Sequence, residues 1–237
     1  VYVDQPGRER ADLVLCPSEA TRRACIDEGL DVAKLRVVPW GVAVPRPIDA
    51  EHAARVLAER KLRPGGYVLF VGTVEPRKGL PVLADALARI GRPELTLVIA
   101  GPSGWGADTD AMLAAVPGPV RRLGFLSAAD LAAVRAGAAV CALPSWAEGF
   151  GLPALEALAA GAPLVTSAGT ALEEVTGDAA LLVPPGRSDL LADALRGVLD
   201  DPQLARRLAS LGPIRAAGFT WDDTAEAVAS VYRSVLR

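Results

Sequence analysis

LPSWAEGFGLPALEALAAGAPLVTS, running from Leu143 to Ser167, is the stretch whose reading decides the fold. It opens where AAVCAL (Ala138 to Leu143), an apolar run of strand length, comes to its end. The loop WAEGFG follows, with Gly149 and Gly151 giving backbone freedom and leaving room for a ligand to come close. Pro153 stands where a helix is expected to begin, a position at which its missing N–H costs nothing. That helix, roughly Leu152 to Ala160, is apolar all round and reads as buried, and Gly161 stops it. PLVTS then reads as a second strand, which completes a β-loop-α-β unit. The unpaired N–H groups at the helix start form a ready anion site. Glu148 in the loop and Glu156 in the helix bracket it. A glutamate on a buried helix is costly to desolvate without a partner, and a ligand carrying hydroxyls and phosphate would supply one. The alternative is a buried glutamate that caps backbone amides in an ordinary α/β domain.

The pair Glu148 and Glu156, written E-GFGLPAL-E with seven residues between, resembles the signature of the retaining family 4 glycosyltransferases of GT-B fold. The longer string PS-x-x-EGFGLP-x-LEA-x-A-x-G-x-P-x-V-x-S makes the resemblance specific. It implies that Glu148 meets hydroxyls of the donor sugar and Glu156 the ribose of the nucleotide. The amides of Gly149, Phe150, Gly151 and Leu152 would then lie near the pyrophosphate or the sugar.

Composition narrows the alternatives. With 51% hydrophobic and 22% charged residues, the chain of 237 residues reads as well-buried and globular. A net charge of −3 steers nothing toward nucleic acid. No apolar run approaches the roughly 18 residues of a membrane span, and no signal peptide is read at the start. Cys16, Cys25 and Cys141 lack metal-like spacing and read as reduced core thiols of a cytoplasmic protein. His52, the only histidine, lies in the amphipathic stretch DAEHAARVLAERKL and reads as part of its solvated face.

Upstream of that stretch, ADLVLCPS and LRVVP read as strands flanking a helix that Ser18 caps and Gly29 closes. WGVAVPRPI reads as a linker. By resemblance, residues 1–45 are the last part of an N-terminal acceptor-binding domain plus the hinge. The remainder of that domain is expected to have been truncated or to be a separate chain. Residues 46–218 are expected to form the Rossmann-like donor domain, and residues 219–237 a helix that crosses back, with Trp221, Val228, Val231, Tyr232 and Val235 on one apolar stripe.

GGYVLFVGTVEPRKGLPVLADALARI reads as a buried strand, a tight loop and a helix from Lys78 to Ile90. Cations at a helix start oppose its dipole, so Arg77 and Lys78 read as placed to meet an anion, the alternative being solvated loop charges. The family resemblance implies that basic groups here grip the diphosphate. Where the family has Gly-Arg, this sequence has Gly72-Thr73, so that arginine is absent, while Lys78 keeps its place and Arg77 is positioned to supply the missing charge. ELTLVIAGPSGWG ends in a loop whose Gly101 lines the expected crevice. VRRLGFLS brings Gly124 to Leu126 to where the family holds the base through main-chain atoms. Arg135 reads as structural, and Glu174 matches a recurrent family position without an assigned role. No GxGxxG follows any strand, which argues against a nicotinamide enzyme.

Alternating strands and helices from Tyr67 to Val183 predict an α/β fold with a doubly wound parallel sheet. The resemblance implies a retaining hexosyltransferase in which Glu148, Arg77 and Lys78 act at the reacting centre. Glu156, Gly149 to Leu152, Gly72, Thr73, Gly101 and Leu126 would hold the donor. No cofactor or metal is expected, and the donor is a nucleotide diphosphate sugar, a GDP-sugar favoured over a UDP-sugar, with mannose among the hexoses. A sugar-nucleotide epimerase or phosphorylase on the same fold, or a binding module without activity, are the alternatives. The expected partners are the nucleotide sugar and either the missing domain or a second copy. Nucleic acid is not expected, and any peripheral membrane contact would come only through the absent domain.

Overall fold

The computed structural model describes residues 10–43, 49–104 and 109–236. Much of the expected hinge, residues 44–48, lies outside the described residues, as does the end of the glycine-rich loop after ELTLVIA, at Gly106.

The chain begins with a small β–α–β unit. Strands β1 (Val14–Cys16) and β2 (Leu35–Val37) pair in parallel around helix α1 (Glu19–Asp27), with Cys16, Cys25 and Leu35 as a small core. Ser18 caps α1 by accepting a hydrogen bond from the Thr21 amide. This two-stranded sheet is separate from the main one. All three cysteines are free and buried.

Beyond helix α2 (Ala50–Glu59), strands β3 (Tyr67–Val71), β4 (Thr96–Ala100), β5 (Val120–Gly124), β6 (Val140–Leu143), β7 (Leu164–Ser167) and β8 (Leu181–Val183) form one sheet. Their order is β5-β4-β3-β6-β7-β8, and every neighbouring pair is parallel. The doubly wound α/β fold predicted from the sequence is therefore present. β3 is central and buried on both faces, as a near-continuous apolar run requires in a parallel sheet. The two-residue pleat sends Tyr67 and Leu69 into one core layer and Val68 and Phe70 into the other. Helices α2, α5 (Ala128–Ala136), α6 (Leu152–Ala159) and α7 (Ala171–Thr176) supply the first layer. Helices α3 (Leu80–Ile90), α4 (Thr109–Leu113) and α8 (Ser188–Asp200) supply the second. Each fully buried leucine or valine contributes about 2 kcal/mol relative to exposure.

Strand order reverses between β3 and β6. The chain winds outward from β3 through β4 to β5, then crosses back to β6 on the other side. Ligands of open α/β sheets bind outside the strand ends at such a switch point. The loops there are Gly72–Gly79 after β3 and Pro144–Gly151 after β6.

Two local readings need correction. The helix expected from Lys78 begins instead at Leu80, because Pro76–Lys78 forms a separate 3-10 turn and Gly79 takes a left-handed φ of 70°. A left-handed residue interrupts the helix, and the turn brings Lys78 back over Gly72. His52 is half-buried where α2 packs on α5, with Nε2 3.1 Å from Asp130 and Nδ1 2.9 Å from Arg55. Helix packing thus takes it off the solvated face expected for it.

Helix α9 (Pro202–Ala216) lies on α6, close enough that Gly212 sits against the Leu158 backbone. Helix α10 (Trp221–Val235) follows, capped by Thr220. Its start packs on the segment after β2: Val42 N–H donates to Phe219 O at 3.0 Å and Thr224 Oγ1 to Pro39 O at 2.8 Å. No residue of α10 is fully buried, and Trp221, Tyr232, Val235 and Leu236 are exposed, as are Leu15 and Val37 of the small sheet. No described helix is long and apolar enough to cross a membrane.

Candidate functional site

Where the β3 and β6 loops meet, the side chains are organised around one carboxylate. Glu148 Oε1 accepts from Lys78 Nζ at 2.7 Å and from Ser145 Oγ at 2.8 Å, and Oε2 accepts from Arg77 at 2.9 Å. Both ion-pair partners in the tighter pair are deep, Lys78 with 11% and Glu148 with 10% of the side chain exposed. Burial alone would raise the Glu148 carboxyl, but the Lys78 ammonium and the hydrogen bonds from Lys78, Arg77 and Ser145 outweigh it. The group is held below its ordinary range. Arg77 is more exposed and also donates to Ala147 O at 2.6 Å and to Glu75 at 2.5 Å.

The inventory leaves room for a ligand. A carboxylate offers about four lone-pair sites, and three are used. One remains for a hydroxyl. Lys78 carries three donors, and only the bond to Glu148 is made among the described residues. Two can turn to a phosphate.

Beside this cluster, α6 begins without a side-chain cap. Gly151, at φ 98°, occupies the N-cap, and a side chain there would collide with Leu172. Its carbonyl accepts from Ala154 and Leu155, whereas the amides of Gly149, Phe150, Gly151 and Leu152 have no partner among the described residues. These open amides and the positive end of the α6 dipole adjoin Glu148 in sequence, and Lys78 is bonded to that carboxylate, a grouping that suits an anion. Phe150 contributes only its backbone there. Its ring is buried between Trp40 and Phe219, at centroid distances of 5.8 and 5.9 Å.

Glu156 departs from the sequence reading. Its helix is not buried all round: the Glu156 side chain is 40% exposed and ion-paired with Arg135. Arg135 reaches it from α5 and is itself buried. The partner that the sequence reading left to a ligand is thus provided in part by the protein, and Glu156 Oε1 has no hydrogen-bond partner among the described residues. Glu156→Gln should therefore act twice. It should weaken binding of a nucleoside by about tenfold, the worth of a charge-assisted hydrogen bond to a ribose hydroxyl. It should also lower stability by about 1–2 kcal/mol, since Arg135 loses its counter-charge. Calorimetry and urea unfolding separate the two, and unchanged affinity would remove Glu156 from the site.

The remaining sequence-selected residues lie along the same edge of the sheet. Gly72 passes beneath the Lys78 stem, and Gly101, at φ 144°, packs against Gly72 so closely that a β-carbon there would lie 2.2 Å from the Gly72 oxygen. Thr73 and Val74 meet the loop after β4, where Val74 N–H donates to Pro102 O at 3.2 Å. Leu126 follows edge strand β5, with β4 and β3 between it and β6. It is half-buried against the core, while its neighbour Phe125 is fully in solvent. Sequence reasoning missed Ser145, although its spacing three residues before Glu148 in a tight loop was a usable signal. It also read Arg135 as structural only.

The sequence profile of the glycosyl transferases group 1 matches residues 65–201, more than half of the chain. The chain belongs to this family. It is 36% identical over 270 aligned residues to a D-inositol 3-phosphate glycosyltransferase of Kineococcus radiotolerans, an alignment that takes in all of this chain and 60% of the relative. With an O-antigen chain mannosyltransferase of Escherichia coli it shares 34% identity over 193 residues, covering 79% of this chain and 51% of the relative. The chain thus spans about half to three-fifths of the curated relatives it matches. Among solved structures, sucrose-phosphate synthase from Thermosynechococcus elongatus superposes with a TM-score of 0.78 at 29% identity, over 97% of this chain and 59% of that one. The Anabaena protein HepE, in complex with UDP and glucose, gives a TM-score of 0.86 at 23% identity, over 97% and 65%. The fold is that of the GT-B glycosyltransferases.

Proposed function

We propose that this chain is the donor-binding half of a retaining hexosyltransferase, which takes a hexose from a nucleoside diphosphate sugar and passes it to an acceptor hydroxyl. The observation that carries the reading is the convergence of Lys78, Arg77 and Ser145 on Glu148, beside four amides without a partner among the described residues, at the sheet's switch point. In this reading Lys78, Arg77 and the α6 amides neutralise the charge that develops on the leaving diphosphate. Glu148 orients a sugar hydroxyl with its open lone pair, and Glu156 takes the ribose. Retention at the anomeric carbon rests on the E-GFGLPAL-E resemblance.

GDP is the nucleotide expected from the sequence, with mannose as the hexose; the mannosyltransferase relative supports the hexose and says nothing of the base. The HepE complex supports UDP. A thermal-shift panel of nucleoside diphosphates decides between them, since the true ligand raises the melting temperature most. A clear preference for UDP would correct the base and leave the site intact.

The second wall of a GT-B cleft would come from a domain beyond this chain, or from another molecule against the exposed face of α10 and the small sheet. Closure of such a cleft excludes water and completes the site. The chain alone should accordingly bind donor and transfer nothing. Sustained sugar transfer or donor hydrolysis by the purified chain would contradict this. Three free buried thiols support a cytoplasmic setting.

A further inference from the structure

The β1–α1–β2 unit has its own sheet and its own small core, yet the start of α1 is joined to the donor loop by buried polar contacts. Ser18 Oγ donates to Gly149 O at 2.6 Å, and Thr21 Oγ1 donates to the same carbonyl at 2.7 Å. A carbonyl oxygen has two lone pairs, so one atom accepts both. Both hydroxyls are buried. From the other side, the Glu174 carboxylate on α7 accepts the first two amides of α1, Glu19 N–H at 2.8 Å and Ala20 N–H at 2.6 Å. Ser18 already takes the third, from Thr21 at 3.0 Å. The first three helical amides of α1 are thus satisfied, and two of them by a residue more than 150 positions away. A carboxylate at a helix N-terminus also meets the positive end of its dipole.

The consequence reaches the donor site through one peptide bond. In a trans peptide the C=O and the following N–H point in opposite directions. With Gly149 O drawn toward α1, the Phe150 N–H is aimed away from α1, and it is one of the amides beside Glu148 that have no partner among the described residues. We propose that Ser18, Thr21 and Glu174 form a latch through which the N-terminal unit holds the Glu148–Gly149–Phe150 segment in its donor-binding geometry. The inference rests on the donor-site reading above. These three are positioning residues, and none touches the donor. If the N-terminal unit shifts, Gly149 O loses both donors, Glu174 loses two, and the Phe150 amide is free to turn. Docking of the unit and binding of a diphosphate are then coupled, each favouring the other by the same factor.

The double variant Ser18→Ala/Thr21→Val tests this on the full chain. GDP and UDP are titrated by calorimetry beside guanosine and uridine, and the Gly149 carbonyl and Phe150 amide are followed by NMR without ligand. We expect diphosphate affinity to fall about tenfold, the scale of the hydrogen bonds removed, with nucleoside affinity unchanged. The Gly149 carbonyl resonance should shift upfield as its donors go. Glu174→Gln should act in the same direction, and Thr21→Ser should behave as wild type. A folded double variant with wild-type diphosphate affinity, or with an unmoved Gly149 resonance, overturns the latch. A wild-type chain that binds neither GDP nor UDP would instead count against the donor site itself, and the coupling would fall with it.

Discussion

Lys78→Met should cost about 2 kcal/mol of stability and lower diphosphate affinity by about 10- to 100-fold while nucleoside affinity holds. Methionine keeps most of the stem that lies over Gly72, so the change is chiefly one of charge. Removing one partner from a buried pair typically costs about 3–5 kcal/mol because the other charge is left uncompensated. Here Arg77 and Ser145 remain on Glu148, and the smaller figure follows. For a chain of this size the melting temperature should drop by about 4–8 °C. Acid sensitivity gives an independent check. Because the native Glu148 carboxyl is held low, its pairing stabilises the protein above the ordinary glutamate pKa of about 4.3. That contribution is lost as pH falls through the lower native value. In Lys78→Met burial is less opposed, the native pKa moves up, and this part of the acid-dependent loss should shrink. Equal losses for diphosphate and nucleoside would show that Lys78 serves only the fold.

Gly79→Ala should be worse for stability, by about 3–4 kcal/mol. A β-carbon on Gly79 would lie 2.0 Å from Pro144 O, a backbone atom with no rotamer to move away in. The left-handed φ of 70° adds strain for any other L-residue. The damage should not stop at the fold. Gly79 is the point where the β3 loop leans on the β6 loop, and this close approach sets Lys78 Nζ against Glu148. Separating the loops by even 1 Å should weaken diphosphate binding in whatever fraction stays folded. Denaturant unfolding with calorimetry at low temperature reads both effects. A variant within 1 kcal/mol of wild type would mean that the loops do not meet as closely as described.

What was legible in the sequence was local. The string from Leu143 to Ser167 carries its own strand, glycine loop, proline-started helix and second strand, so the Glu148 loop and the α6 start could be read from spacing alone. The parallel sheet followed from alternation of apolar runs. What escaped was decided by residues distant in sequence. Arg135 meets Glu156 only because β6 turns the chain back beside α5. The Gly149 carbonyl is held from α1, more than 120 positions upstream. The start of α3 lies two residues beyond the position the sequence predicts, because Gly79 takes a left-handed φ of 70° and its approach to Pro144 O leaves no room for a β-carbon. The α2 pattern alone predicts a solvated His52, and it is α5, with Asp130, that half-buries it.

The central claim is that a diphosphate binds where the β3 and β6 loops meet. Calorimetric titration of the wild-type chain with its preferred nucleoside diphosphate, beside the same nucleoside without phosphates, tests that claim most directly. Lys78 and the amides at the start of α6 should make the diphosphate bind at least about 100-fold more tightly, the sum of two or more charge-assisted hydrogen bonds. Equal affinities for the two ligands, or no binding of either by the folded chain, would contradict it.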